Sequence, residues 1–150
     1  MSKLILMSGI PGAGKTTYAT KIKNAYVVSN DEIRFSLTNG VFLNQKDWNA
    51  LPVDPIQEKL IIEASKKYKT VILDCTALTN KKRLEYYNKY KDYFNSFELV
   101  FMNTNLATCI YQNSLRDRVV PLFKIFEMYQ QLEPINSLVK NIFKIKTIKR

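Results

Sequence analysis

The sequence contains no histidine, only four glycines and only two cysteines, Cys75 and Cys109. Without histidine the chain lacks the commonest general base, and the Ser–His and Cys–His pairs of many enzymes are excluded. The two cysteines have no metal-ligand spacing, so we expect free thiols and a cytoplasmic protein. No apolar run approaches the ~20 residues of a membrane span, and no secretion signal is recognisable. Any acid–base chemistry therefore falls to Asp, Glu, Lys or Tyr.

The composition favours one folded domain with an acidic partner. Hydrophobic residues make up 46% of the 150-residue chain and charged residues 24%, which is typical of a globular domain. We therefore expect a single domain over residues 1–150. The 23 Lys and Arg residues exceed the 13 Asp and Glu residues, and the formal net charge of +10 favours nucleic acid as a partner. Nucleotide bias in the coding sequence is the alternative explanation of so many lysines.

Short apolar runs alternate with helical patterns along the chain. The runs predict strands at residues 4–7, 25–28, 70–73 and 97–102, and a basic strand over 140–149. Helices are predicted at residues 15–23, after 29, from 54 onward and at 80–94, 106–115 and 121–131, with a loop over 40–52. Ser29 is expected to cap its helix, and Gln57 to act as a reciprocal cap of the next one. Unbroken apolar strands that alternate with helices indicate a doubly wound α/β domain with a parallel sheet.

The segment GIPGAGKT at residues 9–16 matches the phosphate-binding pattern G-x-x-x-x-G-K-[ST]. It follows a predicted strand and precedes a predicted helix, which is the context that the motif requires. Its glycines allow backbone amides to point at phosphate oxygens beside the helix N-terminus. Lys15 is expected to reach the β- and γ-phosphates of a nucleoside triphosphate, and the Thr16 hydroxyl to bind Mg²⁺. Asp74, directly after the third strand, either holds Mg²⁺, directly or through water, or is an ordinary strand-end aspartate.

Asp31 and Arg34 stand three residues apart at the start of the helix that follows the second strand. This spacing puts both side chains on one face, near the edge of the sheet where ligands bind. Asp31 suits a general base that accepts the proton of an attacking hydroxyl, and Arg34 either orients that acid or grips a phosphate of the acceptor. The alternative is structural, because the helix dipole stabilises an acid in the first helical turn.

Two further groups of cations lie near the expected ligand edge. The Lys-Lys-Arg run at residues 81–83 opens a predicted helix, where the dipole disfavours positive charge. An anionic ligand explains the run, and a solvated stretch of charge is the alternative. Arg116 and Arg118 are placed for a lid over the triphosphate, where an arginine offsets charge on the transferring phosphoryl group. Pairing of either arginine with Asp117 is the other interpretation.

The aromatic residues divide into two sets. The tyrosines and Phe94 within residues 86–94 are expected to pack in the core rather than to stack on nucleic-acid bases. Trp48, in the predicted loop, is the better candidate for stacking on a base, against ordinary packing as the alternative.

Together these segments resemble a known family. The stretches GIPGAGKTT, NDEIR, LDCTAL with the following KKR, and NSLRDRVVP have the order and spacing of the P-loop polynucleotide 5′-hydroxyl kinases of bacteriophages and of bacterial RNA repair. The resemblance extends from Leu4 to about Tyr129. It implies a P-loop NTPase fold with a parallel five-stranded sheet, flanking helices and a small arginine-bearing lid.

The resemblance also implies an activity, in which the γ-phosphate of ATP is transferred to the 5′-hydroxyl end of DNA or RNA with Mg²⁺ as cofactor. Asp31 matches the general base, Arg34 the contact to the acceptor's phosphate, and Arg116 the lid arginine on the donor phosphates. Thr76 and Arg83 match residues that we place on the acceptor side. The expected catalytic residues are thus Asp31, Lys15 and Arg116; the expected ATP phosphate ligands are Gly9, Gly12, Ala13, Gly14, Lys15, Thr16, Thr17, Arg116 and Arg118; and the expected metal ligands are Thr16 and Asp74.

Two other functions fit the same residues. A kinase of a small-molecule hydroxyl, on a sugar, nucleoside or antibiotic, shares the fold and the Asp-x-x-Arg arrangement, so only the net charge and residues 81–83 favour the polymer. A nucleotide-dependent nucleic-acid-binding module without transfer chemistry is the third possibility. The presence of Asp31, Arg34 and Arg116 together disfavours that module.

Overall fold

The computed structural model describes residues 2–150, which form one parallel sheet with helices on both faces. The strands of this part of the chain are β1 (Lys3–Ser8), β2 (Ala25–Ser29), β3 (Thr70–Asp74), β4 (Ser96–Asn103) and β5 (Lys144–Lys149). The helices are α1 (Lys15–Thr20), α2 (Asn30–Leu37), α3 (Gln45–Asn49), α4 (Val53–Lys67), α5 (Asn80–Tyr90), α6 (Leu106–Ser114), α7 (Leu122–Gln131) and α8 (Ser137–Ile142). None of these helices has both the length and the apolar character that crossing a membrane requires. The strand order β2-β3-β1-β4-β5, with every pair parallel, confirms the predicted fold class.

The central strand β1 is buried on both faces, as its unbroken apolar run predicts. Leu4 and Leu6 pack into one hydrophobic cluster with α4, α5 and α8. Ile5 and Met7 point to the other face and pack with α1, α6 and α7. Successive side chains of a strand alternate between faces, so one five-stranded sheet supports two separate cores.

The strand order brings three chain segments to one edge of the sheet. Strand β1 lies between β3 and β4, and Ser29 at the end of β2 is in register with Asp74 at the end of β3. Because parallel strands all end at the same edge, the loops after β1, β2 and β3 meet there. This edge is where the glycine loop, Asp31 and Asp74 come together.

Three element boundaries differ from the predictions. Residues 40–52 are not a continuous loop, because the Asn44 side chain caps the short helix α3 by accepting from the amide of Asp47. Likewise, the Asn136 side chain caps α8, so the predicted strand over 140–149 begins only at Lys144. Helix α5 ends at Tyr90, not at residue 94. The first two differences have the same cause, because asparagine is as good an N-cap as serine and each of these asparagines begins a short helix.

The two predicted caps have different outcomes. Ser29 caps α2 as expected, because its hydroxyl accepts from the amide of Glu32 at 3.3 Å. The cap predicted at Gln57 is wrong, because this side chain is fully buried and bonds across the core. Its amide donates to Asn30 at 2.7 Å, and its carbonyl accepts from the Tyr90 hydroxyl at 2.7 Å. Gln57 therefore joins α4 to α5 and to the first residue of α2.

Candidate active site

The glycine loop between β1 and α1 has a backbone that only glycine accommodates at two positions. Gly12 and Gly14 have φ angles of 84° and 98°, in the left-handed region. A Cβ on Gly12 would collide with the backbone carbonyl of Cys109, and a Cβ on Gly14 with the guanidinium of Arg150. Since Gly14 is also the N-cap of α1, the loop delivers its amides to the helix N-terminus, which suits phosphate.

Other loop residues anchor this cradle. The Gly9 amide donates to the carbonyl of Thr76 at 2.9 Å, and the Thr104 hydroxyl donates to the carbonyl of Ala13 at 2.7 Å. Thr17 lies exposed in the first turn of α1. Thus Thr76, which was expected on the acceptor side, is connected to the phosphate loop through its backbone.

Lys15 is held at the centre of the cradle. Its Nζ donates to the carbonyls of Gly9 and Ile10 at 2.8 and 2.9 Å. Burial lowers the pKa of Lys15, while the nearby carboxylates of Asp74 and Asp31 act in the opposite direction. The ammonium is thus desolvated, which strengthens its interaction with an anion.

Thr16 and Asp74 form an oxygen pair at the end of β3. The Thr16 hydroxyl donates to Asp74 Oδ2 at 2.8 Å, and Asp74 is buried. A hydroxyl and a carboxylate are oxygen ligands that Mg²⁺ prefers, and Mg²⁺ commonly takes one or two protein ligands together with phosphate oxygens. The donor set therefore fits a magnesium ion that is shared with a bound triphosphate.

Asp31 is surrounded by donors from three segments of the chain. Its Oδ1 accepts from Arg34 Nη1 at 3.0 Å and from the indole Nε1 of Trp48 at 3.2 Å. Its Oδ2 lies 3.6 Å from Arg116 Nη2. Burial raises the pKa of Asp31, but the Trp48 hydrogen bond and the charges of Arg34 and Arg116 outweigh it, so the pKa is lowered overall. The carboxylate is ionised at neutral pH, and its two oxygens have unequal partners.

The segment expected as a lid, residues 113–121, holds its two arginines against different partners. Arg116 pairs with Asp31 and also contributes to lowering the pKa of Lys15, so it lies near both residues. Arg118 was expected at the ATP phosphates, but its guanidinium lies 4.5 Å from the centroid of the Trp48 ring and donates to Gln45 at 2.6 Å. Contact with a phosphate would require Arg118 to leave Trp48.

The acceptor role expected for Arg83 is wrong. Arg83 is fully buried, and its guanidinium donates to the carbonyls of Ala77, Leu78 and Glu133 and to the side chains of Ser8 and Asn80, at 2.8 to 3.2 Å. Burial also lowers its pKa to about 10, against the opposing effect of Glu133. Such a side chain fixes the loop after β3 and offers nothing to a ligand.

Sequence reasoning missed two features of the site. Trp48 is 1% exposed and bonds to Asp31, so it is not a surface for stacking on bases. Arg150 follows β5 and lies against Gly14. The position of Trp48 had a local signal, because helix-forming residues follow Asn44, which is a good N-cap. The contact between Arg150 and Gly14 depends on the pairing of strands that are far apart in the sequence, so it has no local signal.

Several solved structures share the fold of this chain. A chain of the Pnkp1/Rnl/Hen1 RNA repair complex superposes with a TM-score of 0.73 at 19% identity, over 97% of this chain and 47% of that one. A gluconokinase from Sinorhizobium meliloti 1021 gives 0.64 at 14% identity, over 98% and 82%. Kti12 from Chaetomium thermophilum, in complex with ADP-AlF3, gives 0.64 at 14% identity, over 97% and 88%. At these identities the likeness shows the fold alone.

The present chain spans less than half the length of the RNA repair protein that it matches. The fold shared by these neighbours is a P-loop kinase-like fold. A family model described as an AAA domain matches residues 4–135. The match covers most of the sequence, phosphate loop and lid segment included, and the chain therefore belongs to this AAA domain family.

Proposed function

We propose that the protein is an ATP- and Mg²⁺-dependent kinase that phosphorylates the 5′-hydroxyl end of DNA or RNA, with Asp31 as general base. The observation that carries the proposal is the position of Asp31, an ionised carboxylate held by Arg34 and Arg116 at the same sheet edge as the phosphate loop. In a chain without histidine, this is the carboxylate best placed to accept a proton from a hydroxyl.

The two oxygens of Asp31 have different roles in this proposal. Oδ1 is occupied by two donors, Arg34 and Trp48, whereas Oδ2 has only the longer contact to Arg116. Oδ2 therefore takes the proton of the attacking hydroxyl as the new oxygen–phosphorus bond forms. The bond between the γ-phosphorus and its bridging oxygen breaks, and ADP leaves.

The cations divide between donor and acceptor. Lys15 binds the donor phosphates, and Arg116 offsets the charge that develops on the transferring group. Magnesium held by Thr16 and Asp74 supplies further charge neutralisation on the phosphates when it is bound. Arg34 bonds to Asp31 through Nη1, and its side chain is partly exposed. Its guanidinium therefore retains N–H groups for a phosphate of the acceptor.

The net charge of +10 and the likeness to a chain of an RNA repair complex support a polynucleotide acceptor. The burial of Arg83 weakens one of the two features that separated this acceptor from a small molecule, because only Lys81 and Lys82 of that run are exposed. A small-molecule kinase is therefore the second candidate, and the likeness to a gluconokinase supports it equally at the level of fold.

The test is transfer of labelled γ-phosphate from ATP to a 5′-hydroxyl oligonucleotide, beside the same oligonucleotide already 5′-phosphorylated, gluconate and nucleosides. We expect label on the 5′-hydroxyl oligonucleotide alone. Asp31→Asn should lower kcat by about 10²- to 10⁴-fold with ATP affinity retained, and Arg34→Ala should chiefly raise the KM for the oligonucleotide. Label on gluconate or nucleosides alone would establish the second candidate, and full turnover by Asp31→Asn would refute the general base.

A further inference from the structure

The segment between α2 and α4 encloses a fully buried tryptophan beside Asp31. Trp48 is in α3, and the Phe42 ring packs edge-on against it at 5.9 Å between centroids. We propose that Trp48 is a positioning residue for the general base, and that the lid segment is connected to Asp31 through the stacking of Arg118 on Trp48. The inference rests on the proposed function of Asp31 and assigns a role to a segment that sequence motifs leave unexplained.

The hydrogen bond from Trp48 orients the carboxylate. The indole N–H and Arg34 Nη1 both donate to Oδ1, one from α3 and one from α2. Two donors from different helices fix the rotation of the carboxylate about its last torsion, which is otherwise broad. The orientation turns Oδ2 toward Arg116, where the reacting hydroxyl must be accommodated. Without Trp48, Arg34 alone would hold Oδ1, and Oδ2 would lose its fixed direction.

Arg118 connects this arrangement to the lid segment. Its guanidinium covers the Trp48 ring and also bonds to Gln45, which lies three residues earlier on the same face of α3. A guanidinium over an indole face is a favourable cation–π contact, and burial strengthens it. A lid movement that displaces Arg118 thus releases both contacts on α3, and the constraint on Asp31 weakens with them.

Four cations from three segments act on Asp31: Arg34 from α2, Arg116 and Arg118 from the lid segment, and Lys15 from α1. Burial raises the pKa of Asp31, and the Trp48 hydrogen bond is the largest of the effects that lower it. Removing the indole N–H should therefore move this pKa upward. Removing only the packing around Trp48 should not.

The first experiment compares Trp48→Phe with Phe42→Leu. Trp48→Phe keeps an aromatic ring for Arg118 but removes the N–H, whereas Phe42→Leu loosens the packing and leaves the hydrogen bond. We expect Trp48→Phe to lower kcat about tenfold with the KM for ATP unchanged, and to move the acid limb of the kcat profile to higher pH. Phe42→Leu should stay within about twofold and keep the wild-type limb. Equal effects of the two variants, or an unmoved limb in Trp48→Phe, would overturn the proposal.

The second experiment needs no activity. Trp48 is the sole tryptophan of the chain, so one indole N–H cross-peak in a ¹H–¹⁵N NMR spectrum reports on it. Asp31→Asn should shift this peak and speed its exchange with solvent, and Arg118→Met should shift it by removing the stacked guanidinium. An unchanged peak in Asp31→Asn would overturn the contact itself. Should the wild-type protein phosphorylate no acceptor, the proposed function fails, while the NMR result still supports or overturns the Trp48–Asp31 contact.

Discussion

Replacing Arg83 with methionine tests whether this arginine stabilises the fold or binds a ligand. Methionine fills most of the buried volume but removes all five hydrogen bonds of the guanidinium. The Ala77 carbonyl keeps a donor in the Ser8 hydroxyl, and the Leu78 carbonyl keeps the amide of Glu133. The carbonyl of Glu133 loses its donor from Arg83, and a hydrogen bond that involves a charged group contributes about 1.5–3 kcal/mol.

The loop after β3 also loses its common anchor, so we expect a total loss of about 3 kcal/mol from a stability that is typically about 5–15 kcal/mol. At about 3 °C per kcal/mol for a chain of this size, the Tm should fall by about 9 °C. Urea unfolding and a thermal scan measure the two values. Lys81→Met is the matched control, because Lys81 is an exposed cation in the first turn of the same helix. It should leave stability within about 0.5 kcal/mol. A loss below 1 kcal/mol in Arg83→Met, together with weakened oligonucleotide binding, would refute the structural role.

Two further predictions concern the phosphate loop and the general base. Gly12→Ala should abolish detectable ATP binding in calorimetry while the helical circular dichroism persists, because the new Cβ collides with the Cys109 carbonyl; retained affinity would contradict the predicted collision. The lowered pKa of Asp31 predicts a pH-dependent share of stability, present in full above the unfolded-state value of about 3.9 and lost as pH falls through the lower folded-state pKa. The stability difference between wild type and Asp31→Asn should therefore be flat above about pH 5 and shrink toward pH 3, and a difference that grows with acidity would refute the sign.

Sequence patterns predicted those parts of the site that depend on backbone conformation or on contacts between residues close together in the chain. The glycine loop is specified by backbone conformations that only glycine adopts, and it lies in the predicted place between β1 and α1. The Ser29 cap uses an amide only three residues away. Burial of β1 on both faces follows from its unbroken apolar run, which also indicates the parallel sheet.

The failures at Gln57, Arg83 and Trp48 share the opposite property, since each depends on a partner far along the chain. The caps at Asn44 and Asn136 are local exceptions. Gln57 bonds to Tyr90 and Asn30, and Arg83 bonds to the carbonyl of Glu133, so both side chains connect segments that are distant in sequence. Trp48 and Asp31 are 17 residues apart and meet only because α3 folds back over α2. A sequence pattern records which residues are suitable for such contacts, but the tertiary fold decides which of them form.

The central position of β1 has a consequence for the order in which the protein folds. The first strand of the chain pairs with β3 from Lys3 opposite Thr70, and with β4 from Lys3 opposite Ser96. Such distant pairings form slowly, because the intervening chain must lose its entropy first. The Gly9 amide donates to the carbonyl of Thr76, so the phosphate loop cannot form this contact before β3 has joined the sheet. A chain emerging from the ribosome therefore carries its complete glycine motif long before it can hold a nucleotide, and the onset of ATP binding marks the assembly of the central sheet.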